Sequence, residues 1–129
     1  MTYAFDVDGT ITHNPLVMGG LMKSLKDAGH KVIVMTGCLS ASPTSCEQRK
    51  DQLNRCVPAV VMGIHYDDLT VVCAPTYDEV GIGKGKECRE KNVDLMIEDT
   101  AAWVVFIRRE SPQTICLLMG QSVPNEAAA

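Results

Sequence analysis

The chain has no apolar run that approaches the roughly 20 residues a membrane-spanning helix needs. It has no basic and apolar leader ahead of Asp6 and no excess of positive charge. With 12 Lys and Arg against 16 Asp and Glu, the formal net charge is −4. A balance of that sign lacks the electrostatic footprint of a duplex-DNA binder, so nucleic acid is disfavoured as a partner, although a local basic edge can still steer a phosphate. Also missing is any Cys-x-x-Cys pair: the six cysteines, at positions 38, 46, 56, 73, 88 and 116, are scattered. That spacing argues against a zinc site or a disulfide framework and predicts reduced thiols. The expectation is a cytoplasmic protein that does not enter a membrane.

What is present fits one layered domain. The 129 residues are 46% hydrophobic, enough for a single core. Strand signals fall at about 2–7, 31–35, 69–73, 94–97 and 114–119. Their apolar residues are continuous rather than alternating, as in a parallel sheet covered on both faces. Met18, Leu21, Met22, Leu25 and Ala28 recur at helical spacing, with Gly29 as the stop. Further helices are expected from about Ser45 to Arg55, with Pro58 ending or bending the segment, from Lys84 to Lys91, and from Ala101 to Arg108. The stretch 56–68 is ambiguous: residues 57–62 fit a short strand or a helical turn, and the turn is favoured. Strands alternating with helices predict an α/β fold: a doubly wound, Rossmann-like, five-stranded parallel sheet in one domain over residues 1–119. Residues 120–129 read as a flexible tail.

Chemistry concentrates at the expected strand ends. The first strand runs into Phe5-Asp6-Val7-Asp8-Gly9-Thr10, the second into Thr36-Gly37, and the fourth into Glu98-Asp99. Gly83-Lys84-Gly85-Lys86 opens the helix expected after the third. Carboxylates at the lip of a core must be hydrated, paired or bound to a cation. All four groups would meet at the carboxyl edge of one sheet, where open α/β folds bind ligands. Oxygen ligands, a hydroxyl and a lysine that offsets anionic charge make a hard-cation and phosphate site, with Mg²⁺ as the expected cofactor.

In these motifs the chain resembles the haloacid dehalogenase superfamily of phosphohydrolases, over positions 3 to about 119. The resemblance implies a Mg²⁺-dependent phosphomonoesterase working through an aspartyl phosphate. Asp6 would be the nucleophile and Asp8 the general acid and base. Thr36, Gly37 and Lys84 would hold the transferring phosphate. Mg²⁺ would be bound by Asp6, the Asp8 carbonyl and Asp99, with Glu98 supporting the metal from outside or holding Lys84. Either Lys84 or Lys86 could be the motif lysine, and spacing to the acidic pair favours Lys84. No segment is long enough for a cap domain. A capless site implies a large phosphomonoester substrate, such as a macromolecular end, or a neighbouring copy of the chain covering the site. A small organic phosphate, such as a nucleotide or sugar phosphate, is the other substrate class. The alternative is a non-hydrolytic phosphate- or metal-binding domain, or a receiver-like regulatory one. For Trp103 the expectation is core packing.

Overall fold

The computed structural model describes residues 1–40, 42–60 and 66–120, without the side chains of residues 43 and 54–60. Its elements are β1 (Thr2–Phe5), α1 (Pro15–Asp27), β2 (Lys31–Leu39), α2 (Pro43–Val60), β3 (Asp68–Ala74), α3 (Tyr77–Glu90), β4 (Leu95–Glu98), α4 (Ala101–Glu110) and β5 (Ile115–Leu118). The five strands form one sheet in the order β3-β2-β1-β4-β5, and every pairing is parallel. This is the doubly wound α/β fold. The expected tail and much of the 56–68 segment, at residues 121–129 and 61–65, lie outside the described residues.

The continuous apolar strands are explained by two cores. On one face Phe5, Val32, Val34 and Ile97 pack with Met18 and Met22 of α1 and Leu53 of α2. On the other, Ala4, Ile33, Met35 and Met96 pack with Cys88 of α3 and Ile107 of α4. Successive strand residues point to opposite faces, so a strand covered by helices on both sides must be apolar at every position.

β1 stops at Phe5 and not at 7, β2 runs on through Thr36 and Gly37 to Leu39, and two helix boundaries also differ from expectation. α3 begins at Tyr77, not Lys84, capped by Thr76, whose hydroxyl accepts a hydrogen bond from the Glu79 amide at 3.2 Å. Gly81, Gly83 and Gly85 disguise this first half, because glycine is a poor helix former. Their absent side chains are what lets α3 pack closely: a Cβ on Gly81 would strike Trp103 and Phe106, on Gly83 Val72, and on Gly85 Glu110. The second difference is in α2, which continues through Pro58 and ends two residues later, at Val60; proline has no N–H to donate to the carbonyl four residues back, so the helix goes little beyond it.

The cysteine reading is also corrected. Cys46 of α2 and Cys73 of β3 form a disulfide with Cα atoms 6.0 Å apart, while Cys38, Cys88 and Cys116 are free thiols. Residues distant in sequence but adjacent across a helix and a strand leave no spacing motif to read.

Candidate functional site

β1 and β4 are neighbours at the centre of the sheet, and the winding reverses between them: β2 and β3 are added on one side, β5 on the other. The connections leaving the two strands pass to opposite faces and open a crevice at their carboxyl ends. Asp6 is the first residue beyond β1, Glu98 closes β4, and Asp99 follows it. One carboxylate oxygen from each lies within 4.8 Å of the others.

Lys84 enters this cluster from the middle of α3. It is wholly buried, with Nζ 2.8 Å from Asp6 Oδ1 and 2.6 Å from Glu98 Oε2. The other Glu98 oxygen accepts hydrogen bonds from the amides of Asp99 at 3.1 Å and Thr100 at 3.4 Å. Glu98 thus holds Lys84 with one oxygen and the start of α4 with the other. Lys86, the alternative motif lysine, is exposed.

Negative charge is in excess here. Burial raises the Asp6 carboxyl to about 8, with Lys84 pulling it down and Glu98 pushing it up. Glu98 is also raised by burial, against the pull of Lys84. For Lys84, burial works against the charge, but Asp6 and Glu98 prevail and raise its value. One ammonium does not compensate the carboxylates around it, a situation that a divalent cation relieves.

The turn Val7–Ile11 shapes the mouth of the cluster. Gly9 adopts φ +78°, and a Cβ there would fall on the Asp99 carboxylate. Its lack of a side chain lets the turn close against Asp99. Thr10 and Thr36 are buried, and neither hydroxyl has a partner. An unpaired buried hydroxyl costs roughly 1–3 kcal/mol, which a ligand oxygen could recover. Gly37 follows Thr36 on β2, packed so closely under Val80 and Trp103 that a Cβ would strike both.

Asp8 does not join the cluster. Its side chain is 70% exposed and receives Arg49 Nη2 of α2 at 2.6 Å. Sequence reasoning missed Arg49, because nothing in a polar helix says which side chain will meet a loop 41 residues away. It also missed the contact of Trp103 with Lys84: the ring lies 4.4 Å from Nζ, and its Nε1–H donates to the Tyr77 carbonyl at 2.9 Å. The expectation of core packing is corrected: Trp103 is half-buried, belongs to neither core and lies over the site's own cation.

No family model matches the chain, and no curated protein does. Among solved structures it is similar to a universal stress protein family member from Burkholderia pseudomallei, at 13% identity and TM-score 0.60, covering 92% of this chain and 94% of that one. A universal stress protein in complex with cAMP matches at 16% identity and TM-score 0.52, covering 95% and 98%. A chain of the Pnkp1/Rnl/Hen1 complex matches at 21% identity and TM-score 0.56, covering 92% of this chain but 45% of that one. The present chain therefore spans less than half the length of that relative.

At these identities the likeness is one of fold. It overturns the haloacid dehalogenase assignment and the phosphatase activity drawn from it, since structures matched over nearly their whole length are universal stress proteins. The geometry supplies a reason. The second motif aspartate, Asp8, is turned out to Arg49 rather than gathered with Asp6, Glu98 and Asp99. Asp-Gly after a strand is ordinary turn chemistry in any doubly wound sheet.

Proposed function

We propose that this domain binds Mg²⁺ together with a phosphate-bearing ligand and does not hydrolyse it. The observation that carries this reading is the convergence of Asp6, Glu98 and Asp99 within 4.8 Å around the buried Lys84. The donor set fits the ion. Mg²⁺ takes oxygen ligands at about 2.1 Å, so ligands on opposite sides stand about 4.2 Å apart. The carboxylates need only a small inward movement. Asp6 and Asp99 would hold the ion, with the Asp8 carbonyl on the same turn as a further oxygen. The bound ion would supply positive charge for an anionic ligand.

The chain's own groups suit a phosphate. Lys84 offsets anionic charge, while the unpartnered Thr10 and Thr36 hydroxyls are available to donate to its oxygens. Arg49 stands at the rim, on the carboxylate of Asp8. The neighbour holding cAMP makes a phosphorylated nucleoside the natural first ligand to try. Among the described residues no helix is long and apolar enough to cross a membrane. A cytoplasmic location agrees with the free thiols of Cys38, Cys88 and Cys116, while the Cys46–Cys73 disulfide fits it only as a reversible bond.

Manganese can report the site, because Mn²⁺ shares the oxygen preference of Mg²⁺. Electron paramagnetic resonance of the protein titrated with Mn²⁺ should show one saturable site, competed by Mg²⁺ and weakened about tenfold or more in Asp99→Asn. Equal Mn²⁺ binding by Asp99→Asn and the wild type would remove the reading.

A further inference from the structure

Over residues 44–53, α2 is polar and lies against the rest of the fold by a narrow stripe. Between Thr44 and Leu53 only Leu53 is fully buried; Ser45, Cys46 and Arg49 are half-buried and the rest exposed. Cys46, Arg49 and Leu53 recur at i, i+3 and i+7, which places them on one side of the helix. Each holds a different part of the molecule. Leu53 enters the core beneath α1 and α2, Arg49 meets Asp8 at the mouth of the site, and Cys46 is bonded to Cys73 of β3. In the sheet register Cys38 of β2 lies directly beside Cys73. Among the described side chains of this helix, those of residues 44–53, one apolar side chain, one largely solvent-facing ion pair and one covalent link hold it to the rest of the molecule, and this stretch depends heavily on the link.

We propose that the Cys46–Cys73 pair is a reversible redox tether that governs how firmly α2, and with it Arg49, is held at the site. In a compartment that keeps thiols reduced, a disulfide at a helix–sheet junction is a sensing element rather than a structural staple. The oxidant is a peroxide. One cysteine thiolate attacks a peroxide oxygen; the O–O bond breaks, hydroxide leaves and is protonated to water, and a sulfenic acid forms. The second thiolate attacks that sulfur, the S–S bond forms, and the hydroxyl departs as a second water once protonated. Overall the two thiols lose two electrons and two protons, and hydrogen peroxide becomes two waters. A dithiol reductant reverses the change and is itself oxidised to a disulfide.

Breaking the tether restores conformational freedom to the stretch 44–53, in which Leu53 is the one buried apolar side chain among the described residues. Arg49 then spends less time on Asp8, and the mouth of the site loosens. This consequence for ligand affinity rests on the proposed function; the tether itself does not.

The test uses the full chain after peroxide treatment, alkylated and digested for peptide mapping, with amide hydrogen exchange followed over residues 43–60. A Cys46–Cys73 linked peptide is expected, lost with dithiothreitol, together with a fall in α2 protection of about tenfold or more on reduction. Cys46→Ser and Cys73→Ser should both exchange like the reduced wild type under oxidising conditions, and Cys116→Ser like the oxidised one. A Cys38–Cys73 link instead, no link at all, or α2 exchange unchanged by reduction would overturn the proposal. AMP binding in the presence of Mg²⁺ is measured in parallel and should weaken several-fold in Cys46→Ser. If the tether behaves as expected but neither form binds Mg²⁺ or AMP, the tether stands and the reading of the site fails.

Discussion

Arg49 reaches the Asp8 carboxylate at 2.6 Å from a helix that is also joined to the core through Leu53 and to β3 through Cys46. The pair fixes two things at once: where α2 lies over the site, and where the second aspartate of the Asp6-Val7-Asp8 motif points. If Asp8 serves α2 and not the ligand's chemistry, Asp8→Asn keeps the backbone carbonyl and should bind Mg²⁺ within about twofold of the wild type. An exposed partner makes this ion pair worth under about 1 kcal/mol, so thermal stability should change little. Calorimetric titration and a melting curve on the same sample check both statements.

Lys84 has the opposite status. It is completely buried between Asp6 and Glu98, and removing one partner of a buried network leaves the others uncompensated, at a cost of roughly 3–5 kcal/mol. Lys84→Met should therefore lower the urea midpoint sharply. Added Mg²⁺ should restore part of the loss, because it supplies the missing positive charge. Urea unfolding with and without Mg²⁺ measures this.

Gly9 and Gly29 form a matched pair for separating strain from site geometry. Both have positive φ, +78° and +89°, but a Cβ on Gly9 would meet the Asp99 carboxylate, whereas one on Gly29 meets nothing within 4 Å. Gly→Ala at either position should cost about 1–2 kcal/mol of stability from backbone strain. Only Gly9→Ala should also weaken Mn²⁺ binding, by about tenfold or more, as its turn is pushed off Asp99. Denaturation and Mn²⁺ titration of both variants give the comparison.

Acid sensitivity should arise away from the site. Asp67 accepts hydrogen bonds from Lys26 Nζ at 2.5 Å and the Val32 amide at 2.8 Å, and these hold its carboxyl below the usual 3.8. Lys91 does the same for Asp68, at 2.5 Å. A carboxyl with a depressed folded value contributes stability that is present above its unfolded value and is lost as pH falls through the folded one. The wild type should lose stability as pH drops below about 4. Asp68→Asn should be less stable at neutral pH and show a flatter decline in melting temperature between pH 6 and 2.5.

The fold could be read from the sequence because each central strand is apolar on both faces, as with Val32, Ile33, Val34 and Met35, and because acidic residues gather where β1 and β4 stop, whereas Thr36 and Gly37 lie inside β2. The same logic places Asp6, Glu98 and Asp99 together, whereas Lys84, expected at a helix start, joins them from the middle of α3. Two things stayed hidden. The first half of α3 was masked by glycines whose purpose is close packing, a tertiary reason that local propensity does not carry. Side-chain direction was hidden as well: a strand end locates Asp8 but does not say that its carboxylate leaves the crevice for Arg49. The phosphatase expectation rested on residue identity at strand ends, and the direction of Asp8 is where identity and geometry part.

The most direct test of the central claim is a calorimetric titration of AMP into the Mg²⁺-loaded protein, followed in the same cell by an assay for released inorganic phosphate. The account predicts saturable binding that requires Mg²⁺, is lost in Asp99→Asn, and is accompanied by no phosphate release above buffer. Steady phosphate release by the wild type, or heats indistinguishable from dilution with and without Mg²⁺, would contradict it.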